Sequence, residues 1–251
     1  MNDSIESGDG VRLACHLAQP LASAATRLRP ALVLLHGFPA GPLGAKATGQ
    51  TYPQLADRIA ADVGWIVFTF NFRGTGESGG DFSIGGWLTD VRAAVAHVRD
   101  RDDVSGVWLA GASTGGSLAL CVAGSDPDVK GVATMAAPSD FDSWAADSRA
   151  FLDHCRTVGI VRSADFPPDV GAWTREMREC RPLAAIADIP PRPLMIIQGD
   201  EDDTVSTWDA RALVDASGGK AELRIISGAG HRLRHDPRAI AILLGWLERH
   251  T

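Results

Sequence analysis

The stretch Val107–Gly116, VWLAGASTGG, takes an apolar run directly into a serine that is flanked by glycines. This order predicts a strand, a tight turn at Ser113, and a helix that starts at Thr114 and continues through Ser117–Ala123. Glycines are needed beside such a turn because it crowds its neighbours and holds the serine in an unfavourable backbone conformation. A serine presented in this way can act as a nucleophile. The alternative is that Ser113 only caps the helix by accepting a backbone N–H.

A second stretch, Gly76–Gly80 (GESGG), fits the same G-x-S-x-G pattern, so the pattern alone does not identify a nucleophile. There Arg73 and Gly74 already end the apolar run, and a glycine-rich loop follows instead of a helix. The overlapping Gly74–Gly79 also spells the dinucleotide fingerprint G-x-G-x-x-G, but no helix opens at once and the next strand does not end in an acidic residue. We therefore favour Ser113 as the nucleophile and expect no nucleotide cofactor.

The composition sets limits on the class of protein. A chain of 251 residues can bury a self-sufficient core, and its formal net charge of −7 argues against nucleic acid or an anionic membrane as a main partner. Neither a signal-peptide pattern nor a run of about 18 apolar residues occurs, so the simplest expectation is a cytoplasmic protein with no membrane partner. Cys15, Cys121, Cys155 and Cys180 are widely spaced, which predicts free thiols and no metal site.

Short apolar runs recur along the chain and are typical of strands that helices cover on both faces. These runs are Ala31–Leu35, Trp65–Phe70, Val107–Ala110, Val132–Ala136 and Leu194–Ile197. Leu223–Ile226 predicts a further strand nearer an edge, and the alternating Val11–Ala18 predicts an antiparallel edge strand. Helical patterns fall between the runs, over Trp87–Arg99, Thr207–Ala216 and Arg238–His250. Strands that alternate with helices predict an α/β fold with a mostly parallel sheet.

One histidine stands out as a candidate base. His231 follows the predicted strand Leu223–Ile226 in a loop of small residues, Gly228–Gly230. It therefore lies at the carboxyl edge of the sheet, where open α/β sheets place their sites. A serine hydroxyl is a poor nucleophile at neutral pH and needs a base within hydrogen-bond reach. We expect His231 to activate Ser113, and the alternative is a structural loop histidine.

The acid that orients this base should follow the preceding strand. Residues 200–203 (DEDD) supply four carboxylates there, without the D-x-D-x-D-G alternation of a calcium loop. Close like charges raise one another's pKa, so the four side chains cannot all face one site. The residues themselves leave the choice open among Asp200, Asp202 and Asp203.

An oxyanion formed at the serine needs two donors, and backbone N–H groups commonly provide them. The N–H of Thr114, directly after the nucleophile, is one candidate. The loop after Ala31–Leu35 contains His36-Gly37-Phe38, and the N–H of Phe38 is the other. The side chains at these two positions matter less than their place in the chain.

Residues 139–188 separate two predicted core strands by about fifty positions, far more than an ordinary connection. We predict one domain whose core is formed by 1–138 and 189–251, with 139–188 inserted as a small helical cap. The alternative is that the segment supplies extra core helices. The aromatic residues of the segment that we expect to line an acyl or alcohol pocket are Trp144, Phe151 and Trp173.

Together these motifs resemble the α/β-hydrolase superfamily over nearly the whole chain. His36-Gly37-Phe38 resembles its oxyanion turn, and Phe70–Ser78 resembles its D-x-R-G-x-G-x-S loop, with Asn71 at the first position. The family's acid is usually the third residue after a glycine, here Gly199, and the resemblance therefore selects Asp202. The chain is most similar to the serine aminopeptidase-like and cinnamoyl (feruloyl) esterase-like branch, which implies an eight-stranded sheet and a short cap after the sixth strand.

The resemblance implies a serine hydrolase that cleaves carboxylic esters through an acyl-enzyme. Ser113, His231 and Asp202 would form the triad, and the Phe38 and Thr114 amides the oxyanion hole. It implies no cofactor or metal, a small-molecule ester as partner, and a monomer or homodimer. A thioester, amide or peptide substrate stays open on the same triad. A different class, a non-catalytic ligand-binding protein on this fold, usually lacks a triad member, and none is missing here.

Overall fold

One eight-stranded sheet organises the chain in the computed structural model, which describes residues 3–20, 28–39 and 43–251. The third to seventh strands are largely apolar and buried in their central parts because helices cover both faces of the sheet there, whereas the eighth is partly exposed. The strands are β1 (Asp3–Glu6), β2 (Arg12–Ala18), β3 (Arg29–Leu35), β4 (Ile66–Phe70), β5 (Val104–Ala112), β6 (Val129–Met135), β7 (Leu194–Gly199) and β8 (Glu222–Ile226).

Helices connect these strands, as the alternation of patterns in the sequence predicts. They are α1 (Gly44–Ala47), α2 (Tyr52–Val63), α3 (Ile84–Arg99), α4 (Thr114–Ser125), α5 (Asp142–Ala146), α6 (Ser148–Val158), α7 (Val170–Glu179), α8 (Pro182–Ala185), α9 (Thr207–Ala216) and α10 (Pro237–Glu248). No helix in the described ranges has the length and apolar character needed to cross a membrane. The four cysteines are free thiols, and the sulfurs of Cys121 and Cys180 lie 3.6 Å apart.

The strands lie in the order β1-β2-β4-β3-β5-β6-β7-β8. β3 to β8 pair in parallel, and β1 and β2 are antiparallel to their neighbours. The prediction that Val11–Ala18 forms an edge strand is wrong, because β1 pairs with the outer side of β2, with Ser4 opposite Ala14. The sequence does not predict β1 because its four residues, DSIE, contain no apolar run. β8 lies at the opposite edge, as predicted from Arg224 within it.

Alternate side chains of the central strands enter two separate cores, one on each face of the sheet. Val33 of β3 packs into the core that contains Trp87 of α3. Its neighbour Leu34 packs into the other core, beside Trp246 of α10. A strand with both faces covered in this way holds its carboxyl end rigidly. The loops that follow β3, β5, β7 and β8 therefore leave the sheet from fixed points along one edge.

The segment between β6 and β7 forms the helices α5 to α8. Phe151, Trp173 and Met177 from these helices belong to the same core as the residues of α3 and α4. Asp81, in the loop before α3, accepts hydrogen bonds from the backbone N–H groups of Arg162 (2.5 Å) and Ser163 (3.1 Å). Apolar packing and hydrogen bonds therefore both hold this segment against the rest of the domain.

Candidate active site

Ser113 occupies a sharp turn between β5 and α4. Its φ of 50° and ψ of −128° lie in a region that a residue with a Cβ adopts only at a cost of roughly 1–3 kcal/mol. The turn is held on both sides, since the Ser113 N–H donates to Met135 O at 2.8 Å and its carbonyl accepts from Gly116 N–H at 2.8 Å. Ser113 stands at the N-cap position of α4, but its side chain makes no capping hydrogen bond. The strained conformation presents the hydroxyl to the loops at the sheet edge instead.

The His36–Phe38 turn lies directly against this serine. A Cβ on Gly37 would come within 2.9 Å of the Ser113 Cβ, and a Cβ on Gly115 would overlap the carbonyl oxygen of His36. Both positions therefore require glycine for the two loops to approach each other. Neither the N–H of Phe38 nor that of Thr114 donates a hydrogen bond to any residue that the structure describes. These are the two donors that the sequence predicts for the oxyanion.

His231 contacts Ser113 and Asp202 with its two ring nitrogens. Nε2 lies 3.1 Å from Ser113 Oγ, and Nδ1 lies 2.9 Å from Asp202 Oδ2 and 3.1 Å from its Oδ1. Beside an ionised carboxylate Nδ1 must carry the proton and donate, which leaves Nε2 free to accept the proton of the serine hydroxyl. The three residues that the sequence analysis singles out thus meet within hydrogen-bond distance.

Asp202 is held as an anion by its surroundings. Burial alone would raise the pKa of this carboxyl group, but hydrogen bonds from His231 and from the N–H groups of Val205 and Thr204 bring the pKa below its ordinary value. Its side chain is fully covered. A further donor, the Gln198 side-chain amide at 3.0 Å, was not anticipated from the sequence. The only signal for it is a polar residue at the end of the otherwise apolar strand LMIIQG.

The neighbouring carboxylates have other partners. Asp200 Oδ1 accepts from the Gly228 N–H at 2.6 Å and so closes the base of the His231 loop. Asp203 is exposed and accepts from the hydroxyl of Thr204. Of the three acids that the residues leave open, the one in contact with His231 is Asp202.

The second G-x-S-x-G stretch performs a structural task. The hydroxyl of Ser78 accepts from the Ala14 N–H at 2.9 Å and donates to Asn71 O at 2.6 Å, and the residue is buried. These bonds fix the 71–80 loop against β2. Among the described residues Ser78 has no histidine partner, and it is only 2% exposed.

A buried histidine stabilises the turn that approaches the serine. His36 Nδ1 donates to Gly37 O at 2.8 Å, and Nε2 accepts from the Phe72 N–H at 3.1 Å. Burial lowers the pKa of His36 to about 4, so the ring is neutral at physiological pH. It links the turn to the 71–80 loop, a role that the sequence analysis did not assign.

A cavity of about 310 Å³ opens beside the triad. Ser113 and His231 lie in its wall together with the His36–Phe38 turn. The remaining wall includes Tyr52 and the basic turn 232–235, none of which the sequence analysis selected as substrate-contacting. Within the described residues no group of three or more His, Cys, Asp and Glu side chains is placed to hold a metal ion.

The three aromatic residues predicted to contact substrate lie close together in the inserted segment. Phe151 stacks between Trp144 and Trp173, with ring centroids 4.3 and 5.7 Å away. Phe38 packs against the same group, 5.0 Å from the Trp144 ring. Phe38 is therefore the link between this aromatic group and the cavity, whereas the other three rings do not form its described wall. Their contact with substrate stays a prediction.

Sequence comparison with known proteins gives one matching family and several relatives of low identity. A sequence profile of the prolyl oligopeptidase family matches residues 54–251. The uncharacterized protein YfhR of Escherichia coli O157:H7 is 28% identical over 167 residues, which are 66% of this chain and 52% of that protein. The corresponding protein of Salmonella typhi is 26% identical over 157 residues, 59% of this chain and 48% of its own length. The chain thus spans about half the length of the curated relatives it matches.

Solved structures share the fold over nearly the full chain. The α/β-hydrolase GrgF from a Penicillium species has a TM-score of 0.75 at 20% identity, covering 99% of this chain and 97% of its own. The ferulic acid complex of Est1E from Butyrivibrio proteoclasticus gives 0.72 at 19%, with 99% and 97% covered. The Pyrococcus furiosus esterase Pf2001 gives 0.70 at 19%, with 98% and 91% covered. At these identities the likeness concerns the fold, and it confirms the predicted mostly parallel α/β sheet.

Proposed function

The chain belongs to the prolyl oligopeptidase family, a group with the α/β-hydrolase fold, and from this premise we propose that it is a serine hydrolase that cleaves carboxylic esters through an acyl-enzyme. The observation that carries the proposal is the single imidazole of His231, which contacts Ser113 Oγ at 3.1 Å and Asp202 at 2.9 Å. Such an arrangement is the requirement for nucleophilic catalysis by serine.

In the first half of the proposed reaction His231 Nε2 takes the proton of Ser113 as Oγ attacks the ester carbonyl carbon. Asp202 stabilises the imidazolium that forms, because its carboxylate is ionised and faces Nδ1. The negative charge on the former carbonyl oxygen would be bound by the N–H groups of Phe38 and Thr114. The imidazolium then gives its proton to the leaving alcohol, and the acyl group stays on Ser113.

In the second half water replaces the alcohol. His231 removes a proton from that water, which attacks the acyl carbon and regenerates the same oxyanion. Collapse of this intermediate returns the proton to Ser113 Oγ and releases the carboxylic acid. The bonds made and broken balance without a cofactor, so the chain's own residues suffice for the proposed reaction.

The family description also favours a second candidate within the same chemistry, cleavage of an amide or peptide bond. An amide has a poorer leaving group, and its hydrolysis demands more of the acid function of His231. We rank the ester first because the cavity of about 310 Å³ suits a small molecule more than an extended peptide. Thioesters would follow the same steps. The non-catalytic alternative, a ligand-binding protein on this fold, would require that Ser113, His231 and Asp202 lie within hydrogen-bond distance of one another but do not react with a substrate.

Covalent labelling tests the proposal most directly. A fluorophosphonate probe should label the wild-type protein and should fail to label Ser113→Ala, because phosphonylation needs an activated serine oxygen. Ser78→Ala is the matched control, since Ser78 lies in the other G-x-S-x-G stretch. Circular dichroism of both variants establishes that they are folded. Equal labelling of the wild type and Ser113→Ala, or no labelling of the folded wild type, would refute the triad assignment.

A substrate panel then separates the ester from the amide. We expect turnover of 4-nitrophenyl butyrate to exceed that of alanine 4-nitroanilide by at least about 100-fold in kcat/KM, since the ester needs less assistance to its leaving group. A higher kcat/KM for alanine 4-nitroanilide than for 4-nitrophenyl butyrate would favour the peptidase instead of the esterase. Butyryl thiocholine in the same panel measures the thioester arm.

A further inference from the structure

The cavity wall beside Ser113 carries positive charge, and none of its described lining residues is a carboxylate that could neutralise it. Arg232 and Arg234 both line the cavity, in the turn that follows His231. No Asp or Glu of the described residues lines it, and the undescribed residues contain neither type. This local excess of cations contrasts with the formal net charge of −7 for the chain as a whole.

Within the described part of the chain, the groups that orient Arg234 are neutral. One guanidinium nitrogen donates to the hydroxyl of Thr51, and its central carbon lies 5.2 Å from the centre of the Tyr52 ring. Some other arginines pair with carboxylates, for example Arg73 with Asp90 at 2.8 Å, and the half-buried Arg192 donates instead to several backbone carbonyls. A half-buried guanidinium that has neither a counter-ion nor such a set of carbonyls is unfavourable unless a ligand supplies acceptors or negative charge.

Arg232 adds a second guanidinium to the same wall. It is exposed and lines the cavity, and among the described residues no carboxylate pairs with it. Burial, and after it the charges of Arg234 and Arg232, lower the pKa of the nearby His235. The two cations therefore act on the same small region.

Tyr52 supplies an independent sign that an acceptor is missing. The residue is only 2% exposed, it lies in the cavity wall, and its hydroxyl has no hydrogen-bond partner among the described residues. Burial raises the pKa of this phenol well above its usual value, so it stays a donor at any physiological pH. A buried donor without an acceptor costs about 1–3 kcal/mol. The hydroxyl oxygen is itself buried, so a ligand oxygen that reaches it through a small shift of the cavity wall would remove that cost.

We propose that Arg232, Arg234 and Tyr52, here called the donor wall, bind a carboxylate of the substrate. The preferred substrates would then be small esters that carry a free carboxylate close to the bond that is cleaved. This inference rests on the proposed ester hydrolysis and adds the class of substrate. Guanidinium groups bind carboxylates through paired, charge-assisted hydrogen bonds, and the phenol can donate a further bond to the same group.

Matched substrate pairs test the inference in the wild-type protein. Monomethyl glutarate and methyl pentanoate differ by a carboxylate on the acyl side, and 4-acetoxybutanoate and butyl acetate differ by one on the alcohol side. We expect the anionic member of at least one pair to have a kcat/KM about 10- to 100-fold higher, measured as acid release in a pH-stat. Raising the salt concentration to 1 M should reduce this preference.

Variants then locate the preference in the donor wall. Arg232→Gln/Arg234→Gln removes both charges, and Tyr52→Phe removes the hydroxyl but keeps the ring beneath Arg234. Each should lower the ratio of anionic to neutral kcat/KM, by roughly 10-fold or more for the double variant. Arg238→Gln is the matched control, because Arg238 lies nearby on α10 but pairs with Asp236. It should leave the ratio as in the wild type.

A binding measurement makes the inference independent of turnover. In Ser113→Ala, calorimetric titration should show binding of monomethyl glutarate that is weakened about 10-fold or more by adding Arg232→Gln/Arg234→Gln. This arm remains informative if the wild type hydrolyses neither ester of a pair.

Failure of this inference is distinguishable from failure of the proposed function. If fluorophosphonate labels Ser113 and neutral esters are hydrolysed, yet neither pair favours the anion or the double variant keeps the wild-type ratio, the carboxylate site is refuted and the hydrolase stands. If Ser113 is not labelled and no ester reacts, the proposed function fails. Binding that depends on the donor wall would then still identify it as a carboxylate site.

Discussion

The carboxylate that contacts His231 shows how much the proposed mechanism depends on one side chain. Asp202 receives hydrogen bonds from His231, Gln198 and two backbone N–H groups, whereas Asp203 one residue further on is exposed. Asp202→Asn should lower kcat by about 10³-fold or more with little change in KM, because the amide favours the wrong tautomer of His231. The measurement is steady-state turnover of 4-nitrophenyl butyrate.

Asp203→Asn serves as the control and should retain kcat within about twofold, as expected for an exposed side chain away from the histidine. Asp200→Asn should cause an intermediate loss, since Asp200 supports the loop through Gly228 but does not contact the ring. A larger loss at Asp200 or Asp203 than at Asp202 would identify a different acid.

His36 gives the fold a pH dependence of calculable sign. Its pKa is about 4 in the folded protein and about 6.5 in an unfolded chain. Between these values the unfolded chain binds a proton that the folded chain does not, so the free energy of unfolding falls as the pH drops through this window. The contribution that is lost at pH 5 relative to pH 7 is about 2 kcal/mol.

Urea unfolding of the wild type and His36→Gln at pH 7 and pH 5 measures this effect. The variant is less stable at pH 7 because it loses the ring contacts, but its stability should change less between the two pH values. The lowered carboxyl pKa values, such as that of Asp202, titrate below this window and do not obscure the comparison. An identical pH dependence in both proteins would show that His36 is not the responsible group.

At this scale sequence analysis identifies residues that a local pattern marks. Ser113 is recognisable from the strand before it and the helix after it, and His231 from the small-residue loop that carries it. The acid is ambiguous among neighbours of equal charge, and it was the family resemblance that singled out Asp202. Tyr52 and Arg234 are not recognisable, because the fold brings them to the cavity from segments with no motif of their own.

Among the elements, the turn between β5 and α4 tolerates the least change. A Cβ at Gly115 would overlap the carbonyl oxygen of His36, so the loop that carries Phe38 would have to move away from Ser113. Gly115→Ala should reduce kcat by about 100-fold, which is the loss expected when one oxyanion donor is displaced, and should also lower stability. Turnover and urea unfolding of the purified variant test this.

Gly245 in α10 provides the contrasting glycine. It lies inside a helix, and a Cβ there meets no atom within 4 Å. Gly245→Ala should raise the free energy of unfolding by about 0.5–1 kcal/mol, through better helix propensity, and leave kcat unchanged. If both substitutions had the same effect, crowding at the turn between β5 and α4 would not explain the requirement for Gly115.

The elements that sequence analysis predicts are those with strong apolar patterns. The five apolar runs and β8 all appear as strands, with ends that differ by a few residues, and α9 has the predicted bounds of Thr207–Ala216. α2 was not among the predicted helices because its buried face consists largely of alanine, with Ala56 and Ala60 beside Ile59. β1 was missed because pairing with β2, a long-range interaction, forms it rather than any pattern of its own.

Across the whole molecule, the proposed triad draws on strands with unequal support. Ser113 follows β5, which is paired on both sides at the centre of the sheet, whereas His231 follows β8, which pairs with β7 alone. Two of the five residues of β8, Arg224 and Ile225, are exposed. Segments with few buried contacts open at lower free energy than the global unfolding transition.

We therefore expect activity to be lost before the fold. In a urea titration the midpoint for hydrolysis of 4-nitrophenyl butyrate should lie below the midpoint for far-ultraviolet circular dichroism. Substrate saturation at each urea concentration excludes a simple effect on KM. Superimposable curves would mean that β8 unfolds together with the central strands.

Because β8 lies at the edge, the stability of the proposed active site and the melting temperature of the central sheet can be changed separately. Substitutions that strengthen the pairing of β8 with β7 would widen the range of conditions in which the proposed hydrolase keeps its activity, even where the melting temperature of the central sheet does not change. Substitutions that strengthen the pairing of β3 with β5 would raise the melting temperature of the central sheet without widening the range of conditions in which activity persists. For engineering, we expect the conditions under which activity persists to be limited by β8, the strand that precedes His231.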